Sequence, residues 1–268
     1  MTRLIFYDID GTLIDSRTHR IPDSAVQALE AARANGCLNI INTGRTLCNL
    51  DCGLDSAPID GWIIGCGTRI LLHGKELFVK TWTREECGAF RSAVLRSGLS
   101  TVYEGDTALW FEKSYPSGHP AIEGMRAFSR NHGILREIEE DDPGFEFIKL
   151  FTFDPQGRRI PALLKALDGR FTAIDRGGAG GIPDGWELVP AGFSKATGID
   201  LVRRKLGVAL EDCYAVGDSE NDLSMLSHVR HSIAMGNAEA AVKSACSYVT
   251  TPVGEDGIRN ALAHFNLI

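Results

Sequence analysis

Leu4-Ile5-Phe6-Tyr7-Asp8-Ile9-Asp10-Gly11-Thr12-Leu13 decides how the rest of the chain is read. A largely apolar run leads into one acid, a second acid follows two residues on, and Gly-Thr comes next. Short apolar runs that end this way read as a buried strand of a parallel sheet. Residues i and i+2 of a strand point to the same side, so Asp8 and Asp10 are expected to serve one site. That site would lie outside the strand's carboxyl end, where open α/β sheets bind their ligands. Gly11 lets the chain turn sharply out of the strand. Two carboxylates this close repel. Either a hard cation such as Mg²⁺, which takes oxygen ligands, accommodates them, or one is held protonated.

A chain of 268 residues has room for one large α/β domain or for a core with a second module. A net charge of -7 argues against nucleic acid as the partner. No apolar run approaches the roughly 20 residues of a membrane span. Met1-Thr2-Arg3 leads straight into the first strand with no signal-peptide pattern. Seven cysteines, an odd count with no CxxC pair, read as reduced thiols, so a cytoplasmic protein is expected.

Working outward, Pro22 starts a helix that Gly36 stops. Leu38-Asn39-Ile40-Ile41-Asn42 is a second buried strand, ending in Thr43-Gly44-Arg45. The Thr43 hydroxyl and neighbouring backbone N–H groups suit a phosphoryl oxygen, although such a turn alone also serves any strand-to-helix connection. Trp62-Ile63-Ile64 precedes Gly65-Cys66-Gly67-Thr68, and a β-hairpin turns at His73-Gly74-Lys75. From residue 83 to 185 helices alternate irregularly with antiparallel-looking strands, the texture of an α+β module. The acidic run Glu137 to Asp142 reads as a solvated loop, and residues 177–181 as a flexible glycine loop. Residues 186–190 are expected to resume the first domain. A helix then opens at Lys195, and strand 213–216 ends in Gly217-Asp218-Ser219-Glu220-Asn221-Asp222. Three strands therefore end in polar motifs, which a parallel sheet brings to one edge. Three or four carboxylates, one hydroxyl and one ammonium suit a magnesium ion and a phosphoryl group.

These motifs, in this order, resemble the haloacid dehalogenase superfamily. They stand here as Asp8-Ile9-Asp10-Gly11-Thr12, Thr43-Gly44-Arg45, Lys195, and Gly217 to Asp222. Met235-Gly236-Asn237-Ala238 and Glu255-Asp256-Gly257 are similar to the Cof-like phosphatases of that superfamily. Spacing agrees: from Arg45 to Lys195 there are 150 positions, where two βα units need about 60 at roughly 30 each. The surplus fits a cap. The expected architecture is a three-layer α/β/α, Rossmann-like core with a parallel sheet over residues 1–82 and 186–268. An α+β cap would occupy residues 83–185.

The resemblance implies a Mg²⁺-dependent phosphatase of a small phosphorylated metabolite, with a sugar phosphate as first guess. Asp8 would be the nucleophile and Asp10 the general acid and base. Mg²⁺ would be held by Asp8, Asp10 (through its backbone carbonyl) and Asp218, supported by Asn221 and Asp222. Gly11, Thr12, Thr43, Gly44 and Lys195 would cradle the phosphate. Arg45, Cys66, Gly67 and Thr68 are substrate candidates. The subfamily usually has Asn-Gly-Ala where Cys66-Gly67-Thr68 stands, which bears on substrate preference and not on phosphoryl chemistry. Glu104, Asp106, Trp110 and the glycine loop are candidate cap-edge residues. A monomer or weak homo-oligomer is expected. A phosphomutase and a non-catalytic sensor of a phosphorylated ligand remain as alternatives. A dehalogenase is disfavoured, because it needs neither the acid at Asp10 nor magnesium.

Overall fold

The computed structural model describes residues 2–50, 53–54, 57–115, 119–139, 142–177 and 182–268. Cys52, the acidic pair Glu140 and Asp141, and positions 178–181 of the glycine loop lie outside the described residues. The chain forms two compact units. One comprises Met1–Arg45, Asp51–Val79 and Phe193–Ile268; the other, Thr46–Leu50 and Lys80–Gly192.

The first unit opens with β1 (Arg3–Tyr7), α1 (Asp23–Ala34), β2 (Cys37–Asn42), β3 (Gly61–Ile64), β4 (Arg69–Leu72) and β5 (Lys75–Val79). The inserted unit runs α2 (Arg84–Ser97), β6 (Ser100–Glu104), β7 (Leu109–Phe111), α3 (Pro120–Asn131), β8 (Leu135–Glu137), β9 (Lys149–Phe153), α4 (Ile160–Ala166), β10 (Phe171–Asp175) and β11 (Gly185–Pro190). The first unit then closes with α5 (Lys195–Leu206), β12 (Cys213–Gly217), α6 (Leu223–Leu226), β13 (His231–Ala234), α7 (Ala240–Ala245), β14 (Tyr248–Val249) and α8 (Gly257–His264).

The first unit's sheet has the order β14-β13-β12-β1-β2-β3-β4-β5. The six strands from β14 to β3 are parallel, and β4 and β5 add antiparallel at the edge. The antiparallel pair is the hairpin that turns at His73 and Gly74. Leu4 to Tyr7 are fully buried, and full burial of such side chains stabilises by about 1.5–3 kcal/mol each. Asn39 and Asn42 mark the two faces of β2. The Asn39 amide donates to the Leu29 carbonyl of α1, and the Asn42 amide to the Lys195 carbonyl of α5. α8 packs beside α1 and α6 beside α5, so helices cover both faces in an α/β/α arrangement. Strand order reverses between β1 and β12. That switch point is where an open α/β sheet forms its binding crevice.

The inserted unit's sheet has the order β10-β11-β9-β6-β7-β8. Alternating residues feed two apolar clusters. Tyr103, Trp110, Leu150 and Leu188 pack against α2 and α4, while Val102, Phe111, Phe151 and Phe153 pack with Ile122 of α3. The Thr83 hydroxyl and the Glu86 carboxylate form a capping box that starts α2. Lys149 is buried between Glu104, at 3.0 Å, and Glu187.

Three expectations change. β11, read as the return to the first unit, lies between β10 and β9 in the second sheet. Its apolar residues suit either sheet equally, so the boundary falls at Gly192 and not at 185. Trp110 is not an edge residue: it is 4% exposed and meets Phe145 edge-on at 5.5 Å. Glu104 is likewise buried beneath its lysine partner.

Candidate active site

β1 stops at Tyr7, so Asp8 is the first residue beyond the strand. The Asp8 amide still donates to the Val216 carbonyl of β12 at 3.0 Å, which extends the ladder by one bond. The chain then coils tightly, with the amides of Thr12, Leu13 and Ile14 all donating to the Ile9 carbonyl. Asp8 and Asp10 therefore do not share a strand face. Asp8 is 5% exposed. Asp10 points out to solvent, and Arg45 Nη2 and Nε donate to its carboxylate at 2.6 and 3.0 Å.

What gathers around Asp8 comes from the other end of the chain. Ser194 caps α5 through the Thr197 amide, and a reciprocal Thr197 hydroxyl bond to the Ser194 amide completes a capping box. That cap fixes the first helical residue, Lys195, whose ammonium lies 2.5 Å from Asp8 Oδ1 and 2.5 Å from Asp222 Oδ1. The second Asp222 oxygen accepts from the amides of Asp218 and Ser219 at 3.0 and 3.1 Å. Asp218 accepts from the Thr12 hydroxyl at 3.0 Å. Gly11 has φ +78°, and a Cβ there would lie 2.3 Å from Asp218 Oδ2, so only glycine fits this turn.

The electrostatics follow from this crowding. Burial and the Asp222 charge push Asp8 up to about 7, against the pull of Lys195. Burial, Asp8 and Asp222 push Asp218 up to about 8. Burial works against the Lys195 ammonium, but Asp222 and Asp8 together hold it well above the ordinary lysine range. Three carboxylates thus share one ammonium. Asp8, Asp218 and Asp222 offer oxygens all within 4.8 Å of one another. An all-oxygen set with surplus negative charge is the donor chemistry a hard divalent cation takes, so these residues fit such an ion.

The remaining candidates are also located. Thr43 is 2% exposed, and its hydroxyl accepts from the Arg45 amide at 3.1 Å. Gly44 is half-buried beside it. Cys66, at φ 58° and ψ 40°, takes a left-handed conformation uncommon outside glycine and asparagine. Its amide donates to the Thr43 carbonyl at 3.0 Å and that of Gly65 to the Arg45 carbonyl at 2.8 Å, so the two loops brace each other. Gly67 lies against the Ser194 carbonyl, and the Thr68 hydroxyl turns back to the Gly65 carbonyl. Asn221 accepts from the Ser219 hydroxyl at 2.5 Å and shapes the turn.

A sequence profile of the haloacid dehalogenase-like hydrolases matches residues 5–262. The chain belongs to that family. Among haloacid dehalogenase-like relatives, the HMP-PP phosphatase of Klebsiella pneumoniae is 28% identical, with 99% of this chain and 94% of the relative covered. The 5-amino-6-(5-phospho-D-ribitylamino)uracil phosphatase YcsE of Bacillus subtilis is 25% identical, with 99% and 96% covered. The solved structure of BT4131, a subclass IIB sugar phosphatase of the superfamily, superposes with a TM-score of 0.82 at 28% identity, with 99% and 100% covered. As a haloacid dehalogenase-like hydrolase with phosphatase relatives along its whole length, the protein is an enzyme of the phosphatase class. No helix among the described residues is long and apolar enough to cross a membrane, and the six described cysteines are free thiols.

Sequence reading missed two asparagines of this hydrolase site. The Asn237 amide donates to the Gly11 carbonyl at 2.8 Å, and its oxygen accepts from the Val253 amide at 2.9 Å, so it ties down the turn after Asp8. Asn42, fully buried, reaches the Lys195 carbonyl. A polar residue closing an apolar strand run, just before Thr43, was the signal for Asn42.

Proposed function

We propose that this hydrolase removes the phosphoryl group from a small phosphorylated metabolite, a sugar phosphate in the first instance, through an aspartyl-phosphate on Asp8. The supporting observation is the buried cluster in which Lys195 bridges Asp8 and Asp222 beside Asp218. An Asp8 oxygen attacks phosphorus and the bond to the leaving oxygen breaks, which splits one hard displacement into two. Asp10 exchanges Arg45 for the leaving oxygen and gives it a proton, then takes a proton from the water that attacks the phospho-enzyme. The second displacement breaks the bond to Asp8 and frees inorganic phosphate. Lys195, the Thr43 hydroxyl and the Gly44 backbone N–H neutralise charge on the phosphoryl oxygens, while the Gly11 and Thr12 amides, which donate to the Ile14 and Ile9 carbonyls, hold the turn beside them. Asp8, Asp218 and the Asp10 carbonyl, with Asp222 and Asn221 behind them, would hold Mg²⁺, which would supply positive charge against those oxygens. Arg45 and the Cys66-Gly67-Thr68 turn meet the leaving group. The inserted unit acts as the cap that selects it and excludes water. In this reading the enzyme is cytoplasmic and a monomer or weak homo-oligomer.

The test is phosphate release from sugar phosphates, nucleotides, phosphorylated pyrimidines and p-nitrophenyl phosphate, with Mg²⁺ and with EDTA. Wild type and Asp8→Asn run side by side. The expected result is Mg²⁺-dependent release that Asp8→Asn abolishes. No release from any compound by folded, Mg²⁺-loaded enzyme would turn the reading to the mutase or the sensor.

A further inference from the structure

We propose that Asn42 is a positioning residue for Lys195, which sets the ammonium through the first turn of α5. Asn42 ends β2 immediately before Thr43 and is fully buried. Its Nδ2 donates to the Lys195 carbonyl at 2.9 Å, across 153 positions of sequence. Its Oδ1 is buried with no hydrogen-bond partner among the described residues. Only the donating half of this amide is used.

Asn39, three residues earlier on the opposite face, is the contrast. Its oxygen accepts from the Tyr7 hydroxyl, and its nitrogen donates to the Leu29 and Pro58 carbonyls. Asn39 is a satisfied structural amide. Asn42 leaves an acceptor stranded in the interior, which is a net cost to folding. An apolar side chain would avoid that cost, so the bond to the Lys195 carbonyl is what the amide adds.

The geometry around it explains why such a bond matters. Gly198, one turn into α5, lacks the Cβ that would lie 2.4 Å from Ile63 Cγ2, so the helix seats closely on β3. Seating alone leaves the helix free to slide along that apolar contact, since apolar contacts are not directional. The cap at Ser194 fixes where the helix begins, but not its place against β2. Asn42 supplies a directional contact to β2 through the backbone of the residue whose ammonium meets Asp8 and Asp222, beside the ion pairs of that side chain and the Asp200–His228 pair further along α5.

The role in turnover rests on the phosphatase reading above, so the test has one arm that needs turnover and one that does not. Asn42→Leu removes the donor, keeps the approximate shape and also removes the stranded oxygen. Its melting temperature is expected to match or exceed wild type, while kcat falls about ten-fold or more through displacement of the ammonium. In a Lys195→Ala background the same substitution is expected to change kcat less than two-fold. Wild-type kcat in Asn42→Leu, or an equal fold-loss in both backgrounds, overturns the proposal. Asn42→Ala gives the same readings should the leucine pack badly. The second arm is amide hydrogen exchange at Thr197 and Gly198 without substrate. Exchange there is expected to rise about ten-fold in Asn42→Leu, with α8 unchanged. Unchanged exchange at α5 overturns the proposal even if activity falls. Raised exchange in an enzyme that releases no phosphate upholds the tether and rejects the phosphatase reading alone.

Discussion

At the scale of single residues, two glycines separate backbone strain from steric conflict. Gly11 and Gly36 have similar positive φ values, +78° and +83°, but a Cβ at Gly36 meets nothing within 4 Å. Both Gly11→Ala and Gly36→Ala should lose about 1–2 kcal/mol in denaturant titrations, from backbone strain. Only Gly11→Ala should lose phosphate release, by about a hundred-fold, because the new carbon displaces the Asp218 carboxylate. Equal activity in the two variants would contradict the placement of Asp218 in the working site. The Arg45–Asp10 pair offers a second comparison. It is solvent-exposed on the Asp10 side, and such pairs contribute about 0–1 kcal/mol to stability. Arg45→Ala should therefore leave the melting temperature nearly unchanged while altering kcat or KM.

At the scale of elements, the inserted unit carries its own balance of charge. Lys149→Met takes the ammonium away from buried Glu104 and Glu187 and leaves Arg176 at 3.7 Å from Glu187, and breaking such a buried pair costs about 3–5 kcal/mol. Chemical denaturation should show this as early melting of the inserted unit. The start of α2 responds to pH. The Thr83 amide and Arg170 hold the Glu86 carboxyl below the ordinary glutamate range. A carboxylate lowered on folding adds stability above its unfolded value, about 4.3, and loses it as pH falls through the lowered value. Wild type should therefore melt above Glu86→Gln near pH 6, and the difference should shrink as pH falls below the ordinary glutamate range. The same elements show what was legible in the chain. Thr83 and Glu86, three residues apart, carry the start of α2 as a purely local signal. The ends of β2 and β12 could be read because each apolar run stops at a polar motif. β11 could not be assigned to its sheet, because alternation records burial and not which strand lies alongside. Asp10 was read onto the Asp8 face because strand geometry was extended past Tyr7, where the turn to Ile9 had already begun. β8 and α7 went unseen; at three and six residues they are too short for a period to register.

At the scale of the whole molecule, the cluster of three carboxylates should make folding depend on the cation. An ion bound only by the folded chain at a hundred times its Kd adds about 2.7 kcal/mol. Mg²⁺ should thus raise the melting temperature in a calorimetric scan, EDTA should reverse the rise, and Asp218→Asn should abolish it. The place of β1 between β2 and β12 has a consequence in time. β1 and β2 are made first, but the other flank of β1 belongs to Cys213–Gly217. A ribosome adding about 5–20 residues per second needs on the order of tens of seconds to reach that strand. For that interval one edge of the apolar strand β1 has no partner, and Asp8 sits beside an empty lane. A chain released early, with β12 missing, would leave that edge unpaired and would lack Asp218 and Asp222, the carboxylates that gather at Asp8 in the folded chain.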